Sequence, residues 1–102
     1  MKTKIFDNEI VFYDDTGKAL EYAAGMEKID NLISNIEGIK FIEELDDVDN
    51  STLLYFDLNG IKVILIDDRD TVIIRAKLPS SKDAIWFNEL LHKHNDEIAL
   101  SA

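Results

Sequence analysis

Asn59-Gly60, in "LLYFDLNGIKVILIDD", separates two β-rich runs and constrains the fold more than any other feature of the chain. A two-residue type I′ loop needs positive φ at both central positions, which Asn and Gly tolerate, and its twist matches that of the strands it joins. The register then follows: Leu58 faces Ile61, Asp57 faces Lys62, Phe56 faces Val63 and Tyr55 faces Ile64. With "DDRD" as a four-residue loop, "TVIIRAKL" returns to pair Ile66 with Thr71, Ile64 with Ile73 and Lys62 with Arg75. Upstream, "KFIEELDD" returns across "VDNS" and sets Leu45 opposite Leu54.

Side chains alternate across a sheet, so this register sorts them onto two faces. One face collects Phe41, Leu45, Leu54, Phe56, Leu58, Ile61, Val63, Leu65, Val72, Ile74 and Ala76, with Glu43 as its misfit. That is a core face, and a one-residue slip would scatter it. The other face carries three rows: Ile42, Asp57, Lys62 and Arg75; Glu44, Tyr55, Ile64 and Ile73; Asp46, Leu53, Ile66 and Thr71. It is acidic at one edge, basic at the other and apolar between. Cover by a helix or by the N-terminal segment would make it ordinary core, whereas exposure would make it a partner site rimmed by charge. Partial cover, with the acidic edge open, is the expectation. "TVIIRAKL" reads as a possible sheet edge guarded by Arg75 and Lys77.

Two helices are expected over the core face. "PSSKDAIWFNELLHKHNDEI" has Ser80 or Ser81 as N-cap and Asp83 in its first turn, and Trp86, Phe87, Leu90, Leu91, His94 and Ile98 recur at helical spacing. "MEKIDNLISNIEG" places Ile29, Leu32, Ile33 and Ile36 on one side, with Gly38 as a C-cap. Its start lies near Thr16 or near Gly25, and "DDTGKALEY" reads equally as a helical turn or as a hairpin turn leading to a short strand. A strand over Glu9 to Tyr13 precedes it. The sequence therefore predicts one α+β domain over 1–102: a four- or five-stranded antiparallel sheet packed against two helices, in the order β-α-β-β-β-β-α.

Composition narrows the function classes. With 21 acidic side chains against 11 basic, the formal net charge is −10, which disfavours direct binding to nucleic acid or to an anionic membrane. There is no cysteine, so disulfides, thiolate metal sites and thiol nucleophiles are excluded. "MKTKIFDNEIVFYDD" lacks the apolar core of a signal peptide, and no window resembles a membrane span; a cytoplasmic location is expected.

No catalytic motif survives inspection, and no enzyme activity, cofactor or metal is expected. A calcium loop started at Asp47 would need glycine at Thr52 and glutamate at Leu58. His92 and His94 sit about 200° apart on a helix and cannot share one metal; His94 reads as a packed core residue and His92 as exposed. "DTGK" at Asp15 to Lys18 has one Gly-Lys and lacks the rest of a phosphate loop. No serine lies in a nucleophile elbow.

What remains is "FIEELDDVDNS", with five carboxylates between Glu43 and Asp49 and no basic residue. Charge of that density speeds encounter with a cationic protein. The expected function is a small acidic protein-binding module, an inhibitor or immunity-type protein that neutralises a basic partner such as a nuclease toxin. Its partner-binding residues would be Glu43, Glu44, Asp46, Asp47, Asp49, Tyr55 and Asp57, with Tyr55 as aromatic anchor. The alternatives are a nucleic-acid mimic that inhibits a DNA- or RNA-binding protein, and a small-ligand-binding or adaptor domain. A monomer or weak homodimer is expected.

Overall fold

The structure, a computed structural model, describes residues 1–20, 22–96 and 98–100. It has two layers: a mixed sheet of seven strands and, on one face, two helices. The strands are β1 (Lys2–Phe6), β2 (Glu9–Tyr13), β3 (Ile39–Val48), β4 (Ser51–Leu58), β5 (Ile61–Asp68), β6 (Ile73–Lys77) and β7 (Ala99–Leu100). The helices are α1 (Tyr22–Ser34) and α2 (Ser81–His94). Spatial order across the sheet is β3-β4-β5-β6-β2-β1-β7, antiparallel throughout except for the short parallel pair β1–β7.

The α+β class, the antiparallel sheet and the two helices match the sequence expectation. The strand count does not. Lys2–Phe6 forms a strand that turns at Asp7, with φ 53°, and pairs with β2 in a second hairpin; β2 then docks on β6. The order is thus β-β-α-β-β-β-β-α-β. β6 consequently lies inside the sheet, whose edges among the described residues are β3 and the short β7.

The β4–β5 register is the predicted one, residue for residue, with Asn59 at φ 53° and Gly60 at φ 88°. The next hairpin is displaced: Asp68 pairs with Ile73 and Ile66 with Arg75, because the loop is 69–72 and Asp67 and Asp68 belong to β5. The displacement is even, so Ile74 and Ala76 keep their place in the core while Val72 moves out into the loop. In β3 the predicted pairing fails for another reason. Register shifts between Phe41 and Glu43 and between Leu45 and Val48 put Phe41 opposite Phe56, Glu43 opposite Tyr55, Glu44 opposite Leu54 and Leu45 opposite Leu53. Glu43 therefore leaves the core face, and its misfit there disappears. Such bulges re-aim side chains and blunt an edge strand against indiscriminate pairing.

Ile10, Phe12, Leu54, Phe56, Leu58, Val63, Leu65, Ile74 and Ala76 of the sheet pack against Ile29, Leu32, Ile33 and Ile36 of the α1 region and Ala84, Phe87 and Leu91 of α2. Both helices lie on this face. The other face is covered by neither, and the N-terminal segment extends the sheet instead of folding over it, so the expected partial cover is absent among the described residues.

Ser80 caps α2: its hydroxyl accepts the Asp83 amide N–H at 3.1 Å and donates to the Asp83 carboxylate at 2.9 Å. Between Tyr13 and α1 the chain makes a turn closed by one bridge, Tyr13 to Ala19, in which Asp14 Oδ1 accepts the amides of Thr16 and Lys18. The hairpin alternative is the one formed, and Gly25 lies inside α1.

The two histidines exchange the roles expected of them. His94 is exposed, whereas His92 is partly buried, with Nδ1 3.0 Å from the Ile98 carbonyl and Nε2 3.0 Å from Thr3 Oγ1. Asn88 is buried, and its amide oxygen accepts from Thr3 at 2.9 Å. The buried stripe of α2 is Ala84, Phe87, Asn88 and Leu91, rotated from the stripe that apolar residues alone suggest. Asn95 closes the helix and ties it to α1, donating to the carbonyls of Leu91 (3.1 Å) and Leu32 (3.3 Å).

Candidate protein-binding surface

The acidic run forms most of β3, the edge strand. Every residue from 40 to 46 is exposed. Phe41 and Ile42 are each 58 % exposed and Leu45 is 38 % exposed, so three of the large apolar side chains most open to water alternate with carboxylates on one edge. Phe41 keeps an edge-to-face contact with Phe56, ring centroids 5.6 Å apart, which holds it at the rim. Leu45 thus leaves the predicted core face through the bulge, whereas Phe41 keeps that face and is open to water because β3 lies at the sheet's edge.

The predicted partner-binding residues divide into three groups. Glu43, Tyr55 and Asp57 share the uncovered face, where they line a shallow cavity of about 540 Å³ together with Lys40, Ile42 and Lys62. Tyr55 is half-buried in this recess. Asp57 stands in register between Lys40 and Lys62 and accepts the Gly60 amide at 3.2 Å. Glu44 and Asp46 point to the helix side. Asp49 sits in the β3–β4 turn at φ 49°, followed by Asn50 at φ 58°. Asp47 is in β3, but its side chain lies outside the described residues.

The helix side holds a second acidic feature that the sequence reading missed. Glu27 and Asp30 of α1, Glu44 and Asp46 of β3 and Asp67 of β5 line a cavity of about 330 Å³, with Met26, Thr52 and Leu54. Thr52 Oγ1 donates to Asp46 Oδ1 at 3.1 Å. Asp67 is 3 % exposed; its burial pushes the carboxyl above the ordinary Asp value, against the opposing charge of Arg69. Neighbouring Asp68 behaves oppositely. Burial raises it, but the Asp70 and Thr71 amides and the Arg75 guanidinium outweigh that and hold it low. The missed signal was parity: continuing β5 two residues into "DDRD" would have set Asp67 on the core face.

Among the described residues no three His, Asp or Glu side chains converge closely enough to hold one metal ion, and no helix is long and apolar enough to cross a membrane. The β3 edge is open and negatively charged, with exposed apolar side chains among its carboxylates. No family profile, curated protein or solved structure matches the chain.

Proposed function

We propose that the chain is an acidic protein-binding module whose β3 edge captures a cationic protein, in the manner of an inhibitor that neutralises a basic enzyme such as a nuclease toxin. The observation that carries this reading is the mixture of exposed Phe41, Ile42 and Leu45 with Glu43, Glu44 and Asp46 on one edge strand. Apolar anchors rimmed by one sign of charge are what a steered interface needs: charge accelerates encounter, and desolvated anchors hold the complex. An edge strand also offers unpaired backbone donors and acceptors to a partner strand. Two copies paired through β3 would set carboxylates against carboxylates, which favours a basic partner over a second copy. The division of the carboxylates between two faces, with apolar groups among them, suits a protein better than mimicry of a phosphate row.

Affinity capture with the tagged full chain, washed through a salt series, tests this. A basic protein held at moderate salt should be lost with Glu43→Gln/Glu44→Gln/Asp46→Asn and, separately, with Phe41→Ser/Ile42→Thr. Capture that is indifferent to both β3 variants, or recovery of the chain alone, defeats the proposal.

A further inference from the structure

We propose that the cavity between α1 and the β3–β5 strands binds an organic cation, an ammonium or guanidinium group on a short alkyl stem. This goes beyond the β3-edge reading, since it concerns a site on the helix side of the sheet that shares Glu44 and Asp46 with the edge but needs no partner there. Two independent features point the same way. The first is the wall: carboxylates from three separate elements, Glu27 and Asp30, Glu44 and Asp46, and Asp67, surround one space of about 330 Å³.

The second is Asp67 itself. It is 97 % buried by the 3 % that stays accessible, it lines this space, and no hydrogen-bond donor among the described residues supports its carboxyl. Thr52, its partner across the strands, gives its hydroxyl hydrogen to Asp46. Arg69 acts on Asp67 as a nearby charge, while its Nε donates to the Asn50 carbonyl at 3.2 Å. The accessible remnant of Asp67 faces this space, and a carboxylate so nearly buried is stabilised by a donor that enters from the cavity.

The dimensions select the ligand class. The carboxylates ring a space without converging on one point, which is unsuited to a single compact metal ion. An ammonium or guanidinium head brings several N–H donors that can reach two or three separated carboxylates. Met26 and Leu54 give the alkyl stem an apolar wall.

The test is a ¹H–¹⁵N NMR titration of the full chain at constant ionic strength, with agmatine and spermidine as free cations and an arginine-containing hexapeptide as the protein-borne form. Saturable shifts at the amides of Met26, Glu27, Thr52 and Asp67 support the site. Asp67→Asn should weaken binding by about tenfold or more. Glu27→Gln, at an exposed position of α1, should weaken it without touching the buried wall, and Glu43→Gln on the opposite face should leave it unchanged. Saturation by agmatine or spermidine assigns the site to free amines, and saturation by the peptide alone assigns it to a basic side chain. The inference falls if no probe saturates these amides up to about 10 mM, if both Asp67→Asn and Glu27→Gln bind like the parent, or if shifts spread equally over Glu43, Asp57 and Asp70. None of these outcomes depends on the capture experiment at β3.

Discussion

Thr52 and Asp67 face one another across β4 and β5, yet the Thr52 hydroxyl is given to Asp46 at 3.1 Å and, among the described residues, none donates a hydrogen bond to the buried Asp67 carboxyl. The burial that raises the Asp67 carboxyl makes the folded state bind a proton that the unfolded chain has already released. Stability therefore falls as pH rises from the ordinary Asp range through the raised folded value. Asp67→Asn removes this titration. Measured by urea unfolding from acid to neutral pH, the variant should gain on the parent as pH rises and then hold a constant difference. A gap that widens on acidification would contradict the assignment.

Thr3 is fully buried in β1 and joins α2 through Asn88 and His92. Thr3→Val keeps the shape and strands the polar groups it served, which should lower stability by about 1–3 kcal/mol. The double variant Thr3→Val/Asn88→Leu should recover part of that loss, because both ends of the bond are then apolar. Equal losses in the single and double variants would show that shape, not hydrogen bonding, sets the cost.

Val72 holds φ 56° at the end of the β5–β6 loop, with its side chain 54 % exposed. A β-branched residue is strained there, by roughly 1–3 kcal/mol, whereas Asn adopts this region readily. Val72→Asn should raise the urea midpoint, with a gain of about 1 kcal/mol and an unchanged m-value. A lowered midpoint would mean that Val72 contributes packing that its exposure does not suggest.

Gly25 lies inside α1, where alanine is normally better by about 1 kcal/mol. Here a Cβ would come within 2.8 Å of Leu20 Cβ and 2.9 Å of Ile74 Cδ1. Overpacking of that kind costs about 1–3 kcal/mol, so Gly25→Ala should be destabilising by about 1 kcal/mol in thermal or urea unfolding. A stabilised variant would show that α1 can move away from β6 at little cost.

How far the sequence could be read follows from the physics of each element. Asn59-Gly60 specifies both φ values and the loop length, so the β4–β5 register was legible to the residue. "DDRD" carries no such instruction: four charged residues look solvated, yet Asp67 and Asp68 are paired in β5 and Asp67 is buried. That hid the helix-side cavity. Bulges leave no mark in composition, which is why Leu45 read as core and Glu43 as a misfit, while Phe41 faces the core side as expected but lies open at the sheet edge. Asp7-Asn8 is a turn dipeptide, but the lysines at 2 and 4 disguise β1 as a polar segment. On α2, reading apolar residues alone selected His94 and passed over Asn88, because a buried polar stripe is visible only once Thr3 is opposite it.

The position of β6 between β5 and β2 sets an order of events during synthesis. β3 to β6 each pair with a neighbour in sequence and can zip together as the chain emerges. The first hairpin is different: Ile10 meets Ala76, and Phe12 meets Ile74, only after nearly the whole sheet has been made. α2, which covers that hairpin, comes later still. This hairpin is thus made before the strand and the helix that shelter it, and charged residues at 2, 4, 7 and 9 favour its solubility in the interval.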